Sequence, residues 1–366
     1  MRPAWLEINL DSLAHNLALL RSKAPRAQPI GIVKANAYGH GAVMVGRELL
    51  RLGAWGLAVA TVDEGRALRA AGIEGAVLLM GSLHPQEARA VLEADLIASL
   101  STFEGARSLD AAARSLGKIA EVHLEFDTGM SRVGFPWDQA RQVKEGLEPL
   151  PNLRVSGLYS HFADAEENPE FTRMQIANFR HVQEVWGPGY LCHLSNSAGL
   201  FNHPEAAFDA VRPGIALYGL LPDLGLKPIA RLLAKPTLVK PLPPGRKIGY
   251  GGLYTTQEEE WIATLPVGYA DGMPRPLYNR ATVRLGAHSC RVVGRISMDQ
   301  ITVRLPGPVD LESVFEVVTA DFDPGSSLWG WAEMTGTVSY EPAVRLAARL
   351  PRVYLRGGVE VARIEP

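Results

Sequence analysis

Short apolar runs alternate with amphipathic stretches from residue 29 to about residue 212. The runs are Pro29–Val33, Trp55–Ala60, Ala76–Met80, Leu96–Leu100, Ala120–Phe126, Leu153–Tyr159, Tyr190–Leu194 and Phe208–Val211. Their length suits buried strands. Helical patterns lie between them: Val43–Leu52 closed by Gly53, Pro85–Glu93, and Phe171–Trp186, where Met174, Ile176, Phe179, Val182 and Trp186 give a partly periodic apolar face. Eight strand–helix alternations predict a (β/α)8 barrel of the TIM type rather than an open doubly wound sheet. An open sheet would more often carry GxGxxG after its first strand, and none stands there. The preceding segment, Asp11 to Lys23, places Leu13, Leu17 and Leu20 on one helix face with Asp11 as its expected N-cap.

After Leu221 the texture changes. The stretches LLPDLGLKP and KPLPPGRKIGYGG are rich in Pro and Gly, as linkers and turns are. Beyond them come short β-rich runs, Trp261–Val267, Ala281–Leu285, Arg291–Val293 and Ile301–Leu305, with turn signals between. The expected division is a barrel over residues 1–224 and a mostly-β domain over 225–366, with residues 1–10 free to pair with the second domain.

A length of 366 residues agrees with two domains, and 47% hydrophobic with 21% charged residues describes an ordinary globular chain. The formal net charge of −2, without a basic cluster, points away from a nucleic-acid face. Cys192 and Cys290, far apart, form neither a disulfide framework nor a CxxC motif. The N-terminus MRPAWLEINLDSL has no apolar signal core and no run is long enough to span a bilayer, so the expected location is the cytoplasm. No metal site is expected.

In such barrels chemistry gathers at the C-terminal strand ends. Lys34 stands at the end of the first strand, Glu125 and Asp127 end the fifth with Arg132 beyond, His161 follows the sixth, Asn196 and Ser197 the seventh, and Arg212 the eighth. Taken singly, each suits a polar strand end; five such ends converging on one rim suit a site. The loops after strands seven and eight, SNSAG and RPGIALYG, offer the Ser197 hydroxyl and exposed N–H groups near Gly214 and Ile215 to a phosphate. A lysine on the same rim suits a Schiff base with an aldehyde cofactor that carries a phosphate, which pyridoxal phosphate does.

The motifs VKANAYGHG (33–41), DTGMSRVGF (127–135), YSHFADA (159–165), SNSAG (195–199), VRPGIALYG (211–219), IGYGGLYTT (248–256), PVGYADG (266–272) and GRISMDQ (294–300) together resemble the alanine racemases, fold type III pyridoxal-phosphate enzymes, along essentially the whole chain. The resemblance implies an isomerase of L- and D-alanine that works through an external aldimine and supplies D-alanine for peptidoglycan. It implies that Lys34 binds the cofactor and works as base on one face of the substrate Cα. Tyr250, from the neighbouring subunit of a homodimer with shared sites, works on the other, with His161 and Arg212 as the relay behind it. Arg212 faces the pyridine nitrogen. Tyr38, Asn196, Ser197, Gly214, Ile215 and Tyr340 are implied to hold the cofactor. Arg132 and the Met298 backbone meet the substrate carboxylate, and Tyr269 gates the channel to the site.

Asp299 and Asp127 read as structural. Two departures stand out: Ser297 replaces a frequent cysteine, and Glu125 stands where many relatives carry a carbamylated lysine. Glu125 is therefore expected to supply the charge that supports Arg132, with the shorter side chain leaving room for a water or an anion between them. Three other readings remain. A fold type III decarboxylase would need no Tyr250 base; a cofactor-homeostasis protein is typically the barrel alone; a racemase of broader specificity, or for serine, stays open.

Overall fold

The structure, a computed structural model, describes residues 2–366. All eight apolar runs form strands, and neighbouring runs pair in parallel in the order Ile97–Leu100, Ala76–Leu79, Gly56–Val59, Gln28–Ile32, Ala210–Val211, Leu191–His193, Leu153–Tyr159 and Ala120–Asp127. The last pairs with the first, Ala98 opposite Val122, and closes the barrel. Strands such as Gly56–Val59 and Ile97–Leu100 are buried throughout, because helices cover the outer face and side chains fill the interior. The helix Phe103–Leu116 shows how a covering element is specified. Ala106, Leu109 and Ala113 are buried at spacings of three and four, Thr102 accepts from Gly105 N–H at its start, and Gly117 closes it in the left-handed conformation.

The helix Leu10–Lys23 starts one residue earlier than its pattern predicts. Asn9, not Asp11, caps it: Asn9 Oδ1 accepts from Ser12 N–H at 2.9 Å. Asp11 instead accepts from Gly357 N–H at 2.6 Å.

The chain divides into two compact units that do not follow chain order. The first gathers the N-terminal stretch through Asn16, Asn36–Gly41 and Tyr218–Pro366; the second holds Leu17–Ala35 and Ala42–Leu217. The core of the first unit is a ten-stranded sheet. Its order is Leu238–Leu242, Glu260–Leu265, Ile301–Leu305, His288–Val293, Thr282–Leu285, Phe315–Val318, Ala230–Ala234, Ala4–Asn9, Arg352–Arg356 and Val359–Ile364. Ala4–Asn9 pairs antiparallel with Ala230–Ala234 and parallel with Arg352–Arg356. The stretch 240–252, read from sequence as a linker, contributes strand residues at Leu238–Leu242 and Lys247–Ile248. Pro241 is tolerated because Leu238–Leu242 is an edge strand, where a missing N–H breaks no ladder. Cys192 and Cys290 are free and buried. Among the described residues no helix is long and apolar enough to cross a membrane.

Candidate active site

Lys34 lies two residues past the end of the first barrel strand, not at its last residue as its pattern suggests. Val33 N–H still bonds Ala58 O at 2.9 Å, so the backbone is held up to the lysine. Burial lowers the Lys34 pKa, the charge of Arg132 lowers it further, and Glu64 opposes both. Glu64 joins the site without standing in any of the motifs. Its Oε1 accepts from Ala35 N–H at 2.6 Å and its Oε2 from Ala60 N–H at 2.8 Å. It belongs to a capping box with Thr61, and the T-V-D-E pattern was its available signal.

The backbone then makes a left-handed turn, with φ of 50°, 53°, 54° and 51° at Ala35, Asn36, Ala37 and Tyr38. Each such non-glycine residue costs about 1–2 kcal/mol, so the turn persists only where its surroundings over-determine it. Within the first unit the anchors are plain. Tyr38 packs against the rings of Tyr218, at 4.9 Å, and Tyr340, at 5.8 Å. His40 stacks on Tyr218 at 4.8 Å. The buried Arg352 donates from Nε and Nη2 to Gly39 O at 3.0 and 2.9 Å, and Tyr354 O–H donates to His40 O at 3.1 Å. Gly39 is required here twice over: its φ is +83°, and a Cβ would lie 2.3 Å from Ala343 O.

In the barrel unit Arg212 is 2% exposed and meets five acceptors. Nη1 reaches His193 Nδ1 at 2.5 Å and His193 O at 2.9 Å. Nη2 reaches Ser160 O at 2.6 Å, Leu194 O at 3.1 Å and His161 Nδ1 at 3.4 Å. Nε is buried and has no partner. Burial lowers the Arg212 pKa to about 10, which leaves the guanidinium charged at neutral pH. Burial, then the charges of Arg212, Arg132 and Lys34, push His161 down to about 3, so its ring is neutral.

Ser197 Oγ accepts from Gly214 N–H at 3.0 Å and Ala216 N–H at 3.2 Å, which orients its hydroxyl hydrogen outward from both. The loop pattern predicts exposed N–H groups near Gly214 and Ile215. Both residues are buried, and the Gly214 N–H is already spent on Ser197. Asn196 caps the helix Ser197–Asn202 through Oδ1, which accepts from Gly199 N–H.

Glu125 is buried and takes a 2.8 Å hydrogen bond from Tyr159 O–H, and none directly from Arg132. Arg132 is exposed and reaches Glu125 through charge alone, because a glutamate rooted in the barrel interior is too short to follow it out. Burial raises the Glu125 pKa, against the Tyr159 bond and the charges of Arg212 and Arg132. Asp127 Oδ1 organises its own loop by accepting from Gly129 and Ser131 N–H.

The candidates of the first unit sit differently. Tyr250 is 70% exposed and Met298 53% exposed, with Tyr269 also exposed. Tyr269 N–H bonds Ser297 O, and Ala270 N–H bonds Met298 O, each at 3.0 Å, so these two loops are pinned together. Asp299 accepts from Arg349 at 2.8 Å.

The alanine racemase N-terminal domain family matches residues 8–222, and the alanine racemase C-terminal domain family matches residues 229–354. The chain is 38% identical over 380 residues to the alanine racemase of Clostridium novyi (strain NT), covering 100% of this chain and 98% of that protein. It is 40% identical over 370 residues to that of Symbiobacterium thermophilum, covering 97% of each. Among solved structures, the alanine racemase of Clostridium difficile 630 superposes with a TM-score of 0.93 at 32% identity, covering 100% of this chain and 99% of that one. That of Bacillus anthracis, with bound L-Ala-P, gives 0.91 at 32% identity, with 100% and 98% covered.

Proposed function

The chain belongs to the alanine racemase family of isomerases, and from that premise we propose that it interconverts L- and D-alanine with pyridoxal 5'-phosphate held by Lys34. The observation that carries the reading is Arg212 Nε. It is a buried, charged donor with no acceptor, and an unprotonated pyridine nitrogen is an acceptor that fits it. The remaining donors suit the same group. Ser197 O–H and the Ile215 N–H would meet the phosphate beside Gly214 and Asn196, and the family resemblance adds Tyr38 and Tyr340. When bound, the cofactor supplies an electron-accepting imine and ring that weaken the Cα–H bond of an amino acid.

The protein's own part is to orient the substrate and to move one proton on each face of Cα. A lysine with a lowered pKa holds a larger share of free amine, the form that attacks an aldehyde and accepts a proton. Arg132, exposed and free of a competing hydrogen bond, would bind the substrate carboxylate together with the Met298 backbone. Arg212 remains charged, and it accepts no proton, so it would keep the ring nitrogen bare. That limits how much negative charge the ring can hold, which favours reprotonation at Cα over side reactions.

Tyr250 is the second base in this reading, presented by a second copy of the chain in a homodimer with shared sites. Its exposure in the single chain supports that. His161, neutral with Nδ1 turned to Arg212, has Nε2–H left to steady the tyrosine oxygen. In domain terms, residues 1–224 would carry the cofactor lysine and 225–366 the catalytic tyrosine. The product would serve peptidoglycan synthesis.

Purified protein given pyridoxal phosphate and L-alanine should form D-alanine without releasing CO2, measured by chiral chromatography across a panel of L-amino acids that includes serine. Borohydride reduction before proteolysis should leave the pyridoxyl mass on the Lys34 peptide. CO2 without D-alanine, or label on another lysine, overturns the reading.

A further inference from the structure

Behind Arg212 the barrel interior holds a chain of polar groups that the proposed chemistry does not use. His193 takes a guanidinium N–H on Nδ1, and its Nε2 lies 2.9 Å from His123 Nδ1. Both imidazoles are fully buried. His123 Nε2 ends the chain without a partner. Tyr159 stacks on His193 at 4.9 Å and 9°, and the Arg212 guanidinium carbon lies 5.1 Å from the Tyr159 ring centre. Tyr159 in turn meets Ser99 at 2.6 Å and donates to Glu125.

The donor count fixes every proton in this chain. A guanidinium has only donors, so His193 Nδ1 must be bare. A neutral imidazole with a bare Nδ1 carries its proton on Nε2, which donates to His123. His123 Nδ1 is therefore bare too, and its own proton lies on the unpartnered Nε2. Protonating His193 would turn an N–H against an N–H and expel the guanidinium. Burial, with the charge of Arg212, holds both rings neutral.

We propose that His193 and His123 are positioning residues that hold Arg212 by a chain of two neutral Nε2–H imidazoles, so that the guanidinium is fixed without being neutralised. The alternative partner, a carboxylate, is at hand in Glu125, but that group is engaged by Tyr159. Carbonyls and imidazole nitrogens orient Arg212 through several directional bonds without opposing its charge, and they leave that charge to act through Nε–H. A carboxylate partner would weaken that donor. The inference rests on the proposed racemase reading for its purpose, though not for its geometry.

Histidine-labelled apoenzyme and holoenzyme, examined by side-chain 15N NMR between pH 8 and 5.5, should show His193 and His123 neutral with the proton on Nε2. A proton on Nδ1 of His193, or a charged ring there, overturns the proposal whatever the enzyme's activity. Kinetics supply the second arm. His193→Asn keeps an acceptor near the Nδ1 position and should retain kcat within a few-fold. His193→Leu should lower kcat about ten- to a hundredfold with KM little changed, and shift the cofactor absorption band. His123→Phe should have a smaller effect in the same direction. Equal kcat in the Leu variant and the wild type, or an Asn variant as poor as the Leu one, would show that the acceptor is not used. If wild-type protein lacks racemase activity while the NMR result holds, the racemase reading fails and the positioning chain survives.

Discussion

The two units treat their candidate residues in opposite ways. At the barrel's site, Arg212, Ser197 and Glu125 are buried and held by named partners from their own unit. In the first unit Tyr250, Tyr269 and Met298 stand on the surface. A buried charge has to be partnered where it stands, because water cannot stabilise it. An exposed tyrosine carries no such obligation, and its own chain does not fix its orientation. The barrel side is thus preorganised by folding alone, whereas Tyr250 waits for a surface to meet it, which on the proposed reading is a second copy.

The largest effect that can break this contrast comes from mixed subunits. Tyr250→Phe alone should cost about 10²- to 10⁴-fold in kcat, the usual worth of a general base, and Lys34→Ala more. Mixing the two inactive proteins should restore about a quarter of wild-type activity, since random pairing puts one intact site in half of all dimers. Activity that fails to return, with subunit exchange verified, would mean that each chain builds its site alone.

A second test compares how the units respond to acid. The barrel unit contains three neutral histidines with depressed pKa values: His123, buried, and His161, half-buried, both near 3, and the buried His193, well below the ordinary range. The first unit contains one such group, His40, at about 4. A histidine whose folded pKa is depressed contributes stability that is fully present above its unfolded pKa near 6.5 and is lost as pH falls toward the folded value. Each such group removes about 1.4 kcal/mol per pH unit in that window. Glu125, raised by burial, works in the opposite sense above about pH 4.5, up to its raised value: there it gains stability as pH falls and offsets part of one histidine's loss, which leaves the histidines the larger effect. Hydrogen exchange followed by mass spectrometry should show barrel peptides losing protection before those of the first unit. The reverse order would contradict the neutral-histidine description.

The smallest effect sharpens the contrast at its one exception. Arg132 belongs to the barrel unit yet is exposed, like the residues of the other unit. Were Glu125 its hydrogen-bonded support, Glu125→Gln would raise KM for alanine by tenfold or more. With charge alone reaching an exposed guanidinium, the rise should be about fivefold or less. Steady-state kinetics with unchanged cofactor absorbance will separate the two.

The sequence by itself determined the barrel, because a strand buried on both faces must be written as a local apolar run, and all eight runs became strands. Its motifs also named the family and every candidate residue that the proposed chemistry uses. It named Glu125 as a charge for Arg132 but not Tyr159 as its hydrogen-bond partner, and it left Asp11 as the cap of a helix that Asn9 caps. It said nothing of Glu64, His123 or His193, although both histidines stand inside apolar strands, in EVHLEF and LCHLSN. Those roles depend on which atoms meet across the barrel: His123 and His193 are 70 positions apart in the chain. The left-handed turn after Lys34 is likewise invisible locally. Alanine and tyrosine disfavour that conformation, and it is held by distant neighbours, among them Glu64 at Ala35 and, just past the turn, Arg352 and Tyr354, more than three hundred residues away. Apolar periodicity is a local property of the chain. Proton placement and backbone strain are settled only by the neighbours that folding brings together.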